Sequence, residues 1–274
     1  MRDPRGMLAV ITGASSGLGT VFARKLAARG YDLLLVARRE DRLQSIAREI
    51  GEQYHVRAEV LAADLTDDAA LAATASRIRD AADLGLLLNN AGFGSLGYFF
   101  ESDPYVQEQM HRLHVLATMR LSHAALANLM PQAKAGTGII NVSSVAAFAA
   151  SPQSVSYGAT KTWMNRFTEG LAMELEVNSS PVTMQALCPG FTLTEFHDVV
   201  HMDRSRIPAP WWLTADFVVE ESLRGFDRRE LFVVPGWRYK LLVGMLRLLP
   251  GALIRWGSIR TAQRYKQPKG TGVK

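Results

Sequence analysis

The chain has 274 residues, 48% of them apolar and 21% charged, a globular balance that suits one large α/β domain or two small ones. Its single cysteine, Cys188, excludes an internal disulfide framework, and neither a signal peptide nor an apolar run of about eighteen residues is present, so we expect a cytoplasmic protein. The net charge of +5 comes from residues 237–274, which hold nine Lys and Arg and no acid, while residues 1–236 hold 22 basic and 26 acidic residues and give no indication of nucleic-acid binding.

Short β-rich runs alternate with longer helical stretches along the chain. Strands are predicted over residues 7–12, 31–36, 56–62, 84–88, 138–142, 181–187 and 231–234. Helices are predicted over residues 18–29, 39–50, about 104–130 and 155–177, with Gly30 and Gly51 ending the first two and Thr66 capping a helix after the third strand. The alternation indicates βαβ units. We therefore expect an α/β fold, a Rossmann-type doubly wound parallel sheet of about seven strands in a single domain.

A glycine-rich turn follows the first predicted strand and opens the first predicted helix. It reads Thr12-Gly-Ala-Ser-Ser-Gly-Leu-Gly19. Glycine permits tight turning and lets backbone N–H groups approach a pyrophosphate, and the helix N-terminus adds favourable partial charge. This placement in a βαβ unit predicts a dinucleotide site. The residues expected to bind are Gly13, Ser15, Ser16, Gly17, Leu18 and Gly19.

The end of the second strand indicates which dinucleotide is bound. NAD-binding versions of this fold hold the ribose hydroxyls with an acidic residue there, but this chain reads Val36-Ala-Arg-Arg39. Arg38 and Arg39 would attract a 2′-phosphate, so we expect NADP(H). The alternative is a pair of solvated arginines at a helix start. Asp64, which ends the third strand, either accepts a hydrogen bond from the adenine amino group or is a simple loop carboxylate.

Tyr157 and Lys161 lie four residues apart on a predicted helix, and Ser144 precedes the tyrosine by thirteen residues. The pair shares one helix face, and the ammonium is expected to lower the tyrosine pKa from its usual value of about 10. Tyr157 would then protonate a carbonyl oxygen or deprotonate an alcohol, while Ser144 polarises that oxygen. Such a pair alone is typical of a helix surface. Together with the glycine turn, the set predicts a hydride-transfer enzyme.

These motifs, in this order, resemble the short-chain dehydrogenases/reductases over roughly residues 7–234. Besides the turn and the Tyr157/Lys161 pair, the chain contains Asn89-Asn-Ala-Gly92 after the fourth strand, Asn141-Val-Ser-Ser144 after the fifth, and Pro189-Gly190 with Thr192 and Thr194 after the sixth. The resemblance implies a small-molecule carbonyl or alcohol substrate. It also implies a homodimer or homotetramer formed through the helices that carry His114 and Tyr157.

The same resemblance assigns roles to individual residues. It implies that Asn89 braces the central strand and that residues 189–194 hold the nicotinamide carboxamide. The Arg38–Arg39 pair is similar to that of NADP-preferring members. No metal site is expected. Beyond the turn and the arginines, the residues placed at the cofactor are Asp64, Leu65, Asn90, Ala91, Gly92, Tyr157, Lys161, Pro189, Gly190, Thr192 and Thr194.

One position departs from the family pattern. The family usually has an asparagine in the helix before the fifth strand, and its backbone is thought to hold a water that relays protons to the lysine. This chain reads Leu113-His114-Val115 there. The imidazole could displace that water, take part in the relay with a pKa near 6.5, or be a packed core histidine.

The stretch after the sixth strand contains the aromatic residues Phe191, Phe196, Trp211 and Trp212. In the resembled family this stretch usually forms a lid, so the aromatics suggest an apolar substrate such as a lipid-like or cyclic ketone. The alternative is that they pack the lid onto the body or onto a partner subunit.

Residues 1–236 are expected to form the catalytic domain, and residues 237–274 a basic, apolar helical extension. Within residues 240–249, Lys240, Gly244 and Arg247 share one narrow helix stripe, and every other position is apolar. So wide an apolar face requires cover from the body, from a partner subunit, or from a membrane surface with anionic lipids.

The sequence therefore favours an NADP(H)-dependent carbonyl reductase or alcohol dehydrogenase. A second hypothesis is a non-catalytic NADP(H)-binding sensor or scaffold, which the intact Ser144, Tyr157 and Lys161 argue against and the departure at His114 keeps open. A third hypothesis, a membrane-peripheral lipid ketone reductase, refines the first and depends on the C-terminal extension.

Overall fold

The central strands are apolar along almost their whole length, because helices cover both faces of the sheet that they form. A computed structural model describes residues 4–132, 134–195 and 207–264. The strands are β1 (Leu8–Thr12), β2 (Asp32–Ala37), β3 (Ala58–Ala62), β4 (Leu84–Asn89), β5 (Gly138–Val142), β6 (Thr183–Leu187), β7 (Thr192–Leu193), β8 (Leu213–Thr214) and β9 (Phe232–Val233).

The helices alternate with these strands up to β6 and form the C-terminal part of the described chain. They are α1 (Gly17–Ala28), α2 (Glu40–Tyr54), α3 (Asp68–Arg79), α4 (Pro104–His111), α5 (Thr118–Gln132), α6 (Val155–Val177), α7 (Ala215–Asp227), α8 (Trp237–Leu248) and α9 (Gly251–Arg264). Short 3₁₀ segments cover Phe99–Glu101, Val145–Phe148 and Ala209–Trp211.

Seven strands pair in parallel in the order β3–β2–β1–β4–β5–β6–β9. The strand order reverses between β1 and β4, which places a crevice for ligands beyond the carboxyl ends of these two strands. The expected doubly wound, single-domain α/β fold is confirmed. The sequence reading missed the separate two-stranded ribbon of β7 and β8, because each strand has only two residues and no periodicity marks them.

Each face of the sheet has its own hydrophobic core. One cluster packs α1, α2 and α7 against the sheet and contains the fully buried Phe22, Leu26 and Leu43. The other packs α3, α5 and α6 against the opposite face through Ile78, Leu121 and neighbouring residues. Burial on both sides fixes the positions of the carboxyl strand ends where the site lies.

Two helix boundaries differ from the sequence prediction. Helix α2 does not end at Gly51 but continues to Tyr54, since the chain reverses at His55, which adopts a left-handed conformation and donates its N–H to the Gly51 carbonyl. Thr66 does not cap α3. Asp67 is the cap, and its carboxylate accepts a hydrogen bond from the Ala70 N–H at 2.8 Å.

The long helix predicted over residues 104–130 is interrupted at its centre. Between α4 and α5 the backbone forms a π-helical segment, Arg112–Ala117, which contains the buried His114. A π-helical turn inserts an extra residue into the helix and changes which face the following residues present, and such turns are frequent at functional sites. His114 therefore points into the protein from an irregular turn.

Helix α8 packs on the sheet edge through one buried face. Tyr239 and Val243 are buried in a third cluster with Ala186 and Cys188. The Tyr239 hydroxyl accepts a hydrogen bond from the Phe191 N–H at 2.9 Å and donates one to the Trp211 carbonyl at 2.7 Å. This phenol therefore ties the first helix of the C-terminal extension to the β7/β8 region.

Removing the Tyr239 hydroxyl should destabilise the protein. We expect Tyr239→Phe to lower the free energy of unfolding by about 1–3 kcal/mol, because two buried hydrogen bonds lose their shared partner. Urea denaturation measures this change. The matched control is Tyr105→Phe, which removes a hydroxyl from an exposed side chain and should change the free energy of unfolding by less than about 0.5 kcal/mol. Equal stability of both variants would contradict the tie.

Candidate functional site

The glycine turn lies at the reversal point of the sheet, between β1 and α1. Gly13 and Gly17 have positive φ angles of 67° and 56°, which favour glycine. A Cβ at Gly19 would overlap the Gly13 carbonyl. Helix α1 has no acidic residue in its first turn, so no carboxylate of the helix itself offsets the partial positive charge of its N-terminus. This backbone is compatible with the close approach of a pyrophosphate, and the binding itself stays a prediction.

A hydrogen-bond junction joins this turn to the end of β4. The Thr12 hydroxyl donates to the Leu88 carbonyl at 3.1 Å and accepts from the N–H groups of Asn90 and Ala91 at 2.9 and 3.0 Å. The Asn90 side chain donates to the Thr12 carbonyl at 2.8 Å and to the Gly13 carbonyl at 3.2 Å. The predicted Asn90–Gly92 segment is thereby held directly beside the glycine turn.

The two arginines predicted to recognise a 2′-phosphate differ in their contacts. Arg39 donates from Nε and Nη2 to the Ser15 hydroxyl at 3.2 and 3.1 Å, so its guanidinium lies against the glycine turn. Arg38 is more exposed, and its Nη1 lies 3.8 Å from the Asp64 carboxylate. The structure thus brings Arg39 and Ser15 together and leaves Arg38 on the rim.

Asp64 and Leu65, which follow β3, both make contacts within the protein. Asp64 accepts two hydrogen bonds from Thr66, at 3.0 Å from the N–H and 2.7 Å from the hydroxyl. Burial acts to raise the pKa of Asp64, but these bonds and the Arg38 charge together lower it, so the carboxylate is ionised near neutral pH. The Leu65 side chain is buried in the core, which leaves only its backbone to face a cofactor.

Ser144, Tyr157 and Lys161 converge beyond the carboxyl end of β5. Ser144 precedes the 3₁₀ segment, and its hydroxyl forms a hydrogen bond with Tyr157 that lowers the pKa of the phenol. The Lys161 side chain extends from α6 to the carboxyl end of β5, where its Nζ donates a hydrogen bond to the Val142 carbonyl at 2.7 Å. Its Nζ lies 5.8 Å from the centre of the Tyr157 ring. The three residues therefore form one cluster, as predicted.

The protonation of this cluster differs from the expectation. Burial raises the pKa of Tyr157, and this effect exceeds the lowering by the Ser144 hydrogen bond. Burial also lowers the pKa of Lys161 to about 7, so its amine loses much of its charge near neutrality. The predicted lowering of the tyrosine pKa by the lysine is therefore wrong for this arrangement. As it stands, Tyr157 is a protonated phenol at neutral pH.

His114 lies next to the cluster and is fully buried. Its Nδ1 lies 2.9 Å from the Thr160 hydroxyl, which itself donates to the Tyr157 carbonyl at 2.9 Å. Because that hydroxyl has one proton, His114 donates from Nδ1, and its Nε2 presents an unprotonated nitrogen toward Gly92. Burial and then the Lys161 charge place the His114 pKa well below 6.5. The expected pKa near 6.5 is therefore wrong, and the burial of His114 agrees with the alternative of a packed core histidine.

The segment after β6 reaches back across the crevice. Thr192 donates from its hydroxyl to the Gly190 carbonyl at 2.9 Å, and Gly190 packs against the Tyr239 ring. The Pro189 carbonyl accepts from the Val145 N–H at 3.0 Å. The Thr194 side chain lies against Gly17, so the segment predicted to hold the nicotinamide lies between the cluster and the glycine turn.

The aromatic residues of this region pack largely on the protein itself. The Trp211 ring meets the Tyr239 ring edge-on at 5.2 Å, and the Phe191 and Trp212 rings lie 5.6 Å apart. Phe196 lies outside the described residues. Cys188 is buried, and burial raises the pKa of its thiol to about 12, which agrees with its interpretation as a small core side chain.

Sequence reasoning did not single out several residues that shape the site. The sequence patterns indicate Thr12 only as part of the glycine motif. They predict no role for Arg42, Thr160 or Glu195. Arg42 follows Arg38 and Arg39 at helical spacing, so a third arginine near the same helix start was a usable signal. No sequence signal places Glu195, which lies more than 150 residues from the arginines that it contacts.

A dinucleotide turn that faces a protonated phenol across the end of a parallel sheet is the arrangement of a Rossmann-type oxidoreductase. The family model described as short chain dehydrogenase matches residues 7–204, well over half of the chain. The protein therefore belongs to the short-chain dehydrogenase/reductase family.

Its similarity to known members extends over nearly the whole chain. The structure of a short-chain dehydrogenase from Sphingobium yanoikuyae in complex with NADPH has 32% sequence identity and a TM-score of 0.80, and the match covers 98% of this chain and 99% of that one. The 7beta-hydroxysteroid dehydrogenase of Collinsella aerofaciens is 31% identical over 88% of this chain and 90% of its own length. A human protein named inactive hydroxysteroid dehydrogenase-like protein 1 is 25% identical over 92% of this chain and 75% of its own length.

The buried His114 should make stability depend on pH. An unfolded histidine binds a proton near pH 6.5, whereas the folded one stays neutral, so the unfolded state binds more protons as the pH falls and the free energy of unfolding decreases. We expect His114→Asn to remove about 1 kcal/mol of the decrease between pH 7.5 and 5.5, as measured by urea denaturation.

The matched control for this prediction is His123→Gln, which removes an exposed histidine from α5. That variant should keep the pH dependence of the parent protein. If His114→Asn and the parent lost the same stability on acidification, the buried neutral imidazole would be refuted.

Proposed function

We propose that the protein is an NADP(H)-dependent reductase of an apolar ketone, working through Tyr157 as the proton donor. The observation that carries the proposal is the partly buried Tyr157 phenol, which is hydrogen-bonded to Ser144 and lies beside Lys161 at the same edge of the sheet as the glycine turn. A raised phenol pKa keeps the proton on Tyr157 at neutral pH, and this is the protonation state that carbonyl reduction requires. Carbonyl reduction is therefore the proposed direction.

The residues of the cluster have distinct roles in this mechanism. The nicotinamide cofactor, when bound, supplies the hydride. Ser144 donates a hydrogen bond to the substrate oxygen, and Tyr157 transfers its proton to that oxygen as the carbonyl becomes an alcohol. Lys161 has a pKa of about 7, so it can take up a proton beside the resulting phenolate at physiological pH.

Three features support NADP(H) over NAD(H). The end of β2 has no acidic side chain, Arg38 and Arg39 stand there instead, and Arg39 contacts Ser15 of the glycine turn. A guanidinium at this position suits a 2′-phosphate. The Sphingobium relative holds NADPH. The remaining predicted cofactor contacts, from Asp64 to Gly92 and from Pro189 to Thr194, form part of the same proposal.

Exposed apolar side chains near the site support an apolar substrate. Leu96, Phe99 and Phe100 follow β4, and they are 47%, 58% and 81% exposed. The Gly97 N–H donates to the Gln153 carbonyl at 3.0 Å, which holds this segment beside the turn that leads into Tyr157. The Collinsella relative is named for a hydroxysteroid, an apolar polycyclic alcohol. These residues suit one wall of a site for a similar ketone.

The alternative of a non-catalytic NADP(H)-binding protein rests on three relatives that are named inactive and on the departure from the family pattern at His114. This chain keeps Ser144, Tyr157 and Lys161 in one cluster, which favours turnover. A homo-oligomer remains our proposal for assembly, because Leu116 and Met119 near the π-helical segment and Met173 and Val177 on α6 are exposed apolar side chains.

Replacing the phenol tests the proposed function. With a ketone identified from a carbonyl panel by loss of NADPH absorbance, Tyr157→Phe should lower kcat by at least about a hundredfold, because the proton donor is removed. NADPH binding, measured by calorimetry, should persist. The control Tyr105→Phe alters an exposed tyrosine and should keep full turnover. Retained turnover in Tyr157→Phe would refute the mechanism. If the same panel run with NADH gave faster turnover than with NADPH, the cofactor assignment would be refuted.

A second candidate function, a membrane-peripheral ketone reductase, is favoured by the exposed surface of α8 and α9. On α8 the residues Trp237, Leu241, Met245 and Leu248 form one exposed apolar stripe at helical spacing. On α9 no described side chain is buried, and Leu253, Trp256 and Ile259 are exposed. A helix of 14 residues in which none of the described side chains is buried is marginal in water. This surface therefore requires a covering partner.

The positive charge of α8 and α9 favours an anionic membrane as the covering partner. Residues 237–264 carry six Lys and Arg and no acidic residue. Lys240 lies 3.6 Å from Glu221, and Arg247 stacks on the Phe148 and Phe232 rings, so both contact the body of the protein. The other cations would repel those of a second copy, whereas an anionic bilayer offers both opposite charge and apolar depth. The Arg238 and Arg260 guanidinium groups lie 4.7 and 5.0 Å from the Trp237 and Trp256 ring centres, which places cations beside interfacial aromatics. Among the described helices, none has the length and hydrophobicity required to cross a bilayer.

Vesicle flotation tests this surface. The protein should float with vesicles that contain phosphatidylglycerol and should not float with pure phosphatidylcholine. Leu253→Ser/Trp256→Ser should abolish flotation without unfolding, because α9 buries none of its described side chains. A truncated chain that ends at Gly236 does not serve as the comparison, because it lacks the buried Tyr239 and Val243 and would lose core packing together with the exposed surface.

The matched control for flotation is Phe100→Ser, which removes an exposed aromatic outside α8 and α9 and should float like the parent. Failure of the parent to float with anionic vesicles would end the membrane hypothesis. A smaller assembly of the double variant in solution would instead assign the surface to contact between copies.

A further inference from the structure

The arginines at the start of α2 share one carboxylate, that of Glu195. Arg42 donates from Nη1 to both Glu195 oxygens, at 3.1 and 3.2 Å, and Arg39 donates from Nη1 to Oε2 at 3.4 Å. Arg39 meanwhile contacts the Ser15 hydroxyl through its other nitrogens. A single anionic group thus bridges two guanidinium groups at the edge of the glycine turn.

These contacts lie in the cleft where an adenosine 2′-phosphate would be held. Ser15, Ser16, Gly17, Arg42 and Glu195 line one depression beside the N-terminus of α1. Glu195 directly follows Thr194, whose side chain lies against Gly17. The carboxylate therefore occupies a position between the arginines that suits the oxygens of a phosphate.

We propose that Arg42 is a further 2′-phosphate ligand and that Glu195 is an internal competitor for the same two arginines. This inference rests on the proposed use of NADP(H). The Arg39, Arg42 and Glu195 side chains are 43%, 51% and 53% exposed, so their ion pairs are weak and easily exchanged. A phosphate, with about twice the charge of the carboxylate, displaces Glu195 and takes over both guanidinium groups.

The competition sets how strongly the protein discriminates between the two nicotinamide cofactors. With Glu195 in place, the arginines are partly neutralised, and the gain from binding a 2′-phosphate is reduced by the cost of breaking two ion pairs. Without the carboxylate, the same arginines present their full charge. Glu195 is therefore a specificity-determining residue, although it does not bind the cofactor.

Calorimetry with adenosine 2′,5′-bisphosphate and adenosine 5′-monophosphate tests the proposal on the full chain without any substrate. Glu195→Gln should strengthen binding of the bisphosphate about three- to tenfold and leave binding of the monophosphate unchanged. Arg42→Gln should weaken binding of the bisphosphate by about the same factor, again without effect on the monophosphate. The readout is the ratio of the two affinities.

The matched control is Glu49→Gln. Glu49 lines the same depression but pairs with Arg24, at 2.8 and 3.0 Å, so the variant makes the same charge change away from Arg39 and Arg42. It should leave the affinity ratio near that of the parent. An equal rise with Glu49→Gln would reduce the effect to general charge and overturn the specific competition.

The remaining outcomes separate this inference from the cofactor assignment. If the parent bound the monophosphate as tightly as the bisphosphate, the NADP(H) proposal itself would fail. If the parent preferred the bisphosphate and Glu195→Gln did not change the ratio, only the competition would be overturned. Weaker monophosphate binding by Glu195→Gln would show that the carboxylate contacts the ribose instead, which also refutes the proposal.

Discussion

The site depends on the junction between the ends of β1 and β4, where the Thr12 hydroxyl accepts two N–H groups and donates to the Leu88 carbonyl. The strand order reverses here, so two loops diverge and leave a crevice. The hydroxyl and the Asn90 amide satisfy backbone groups that would otherwise lose their partners in that gap. The junction holds the glycine turn against the Asn90–Gly92 segment, and Gly92 in turn faces His114.

Next to this junction the protein buries His114 and Lys161 and partly buries Tyr157 within one cluster. Burial lowers the pKa of His114 and Lys161 and raises that of Tyr157, so each neutral form gains at the expense of the charged one. His114 belongs to this arrangement as a positioning group, because its hydrogen bond to Thr160 orders the helix turn that presents Tyr157.

Two groups of cations lie outside this cluster and have different surroundings. Arg39 and Arg42 stand at the start of α2 among Ser15 and Glu195, where hydrogen bonds fix their direction. The cations of α8 and α9 stand among exposed apolar side chains with no acidic residue in the same helices. The arginines at the start of α2 are held in fixed directions, as the proposed phosphate site requires. The cations of α8 and α9 are spread along two helices, as the proposed contact with an anionic membrane requires.

The sequence by itself determined the doubly wound sheet, the glycine turn and the Ser144, Tyr157 and Lys161 set, because strand periodicity and short-range spacing along one helix are local properties. The predicted end of α2 at Gly51 and the predicted cap of α3 at Thr66 were wrong. In the structure His55 ends α2 and Asp67 caps α3. The pKa values of the cluster and the pairing of Glu195 with Arg42 were decided by the tertiary structure alone. Burial and contacts between residues more than 150 positions apart arise only when the chain is folded.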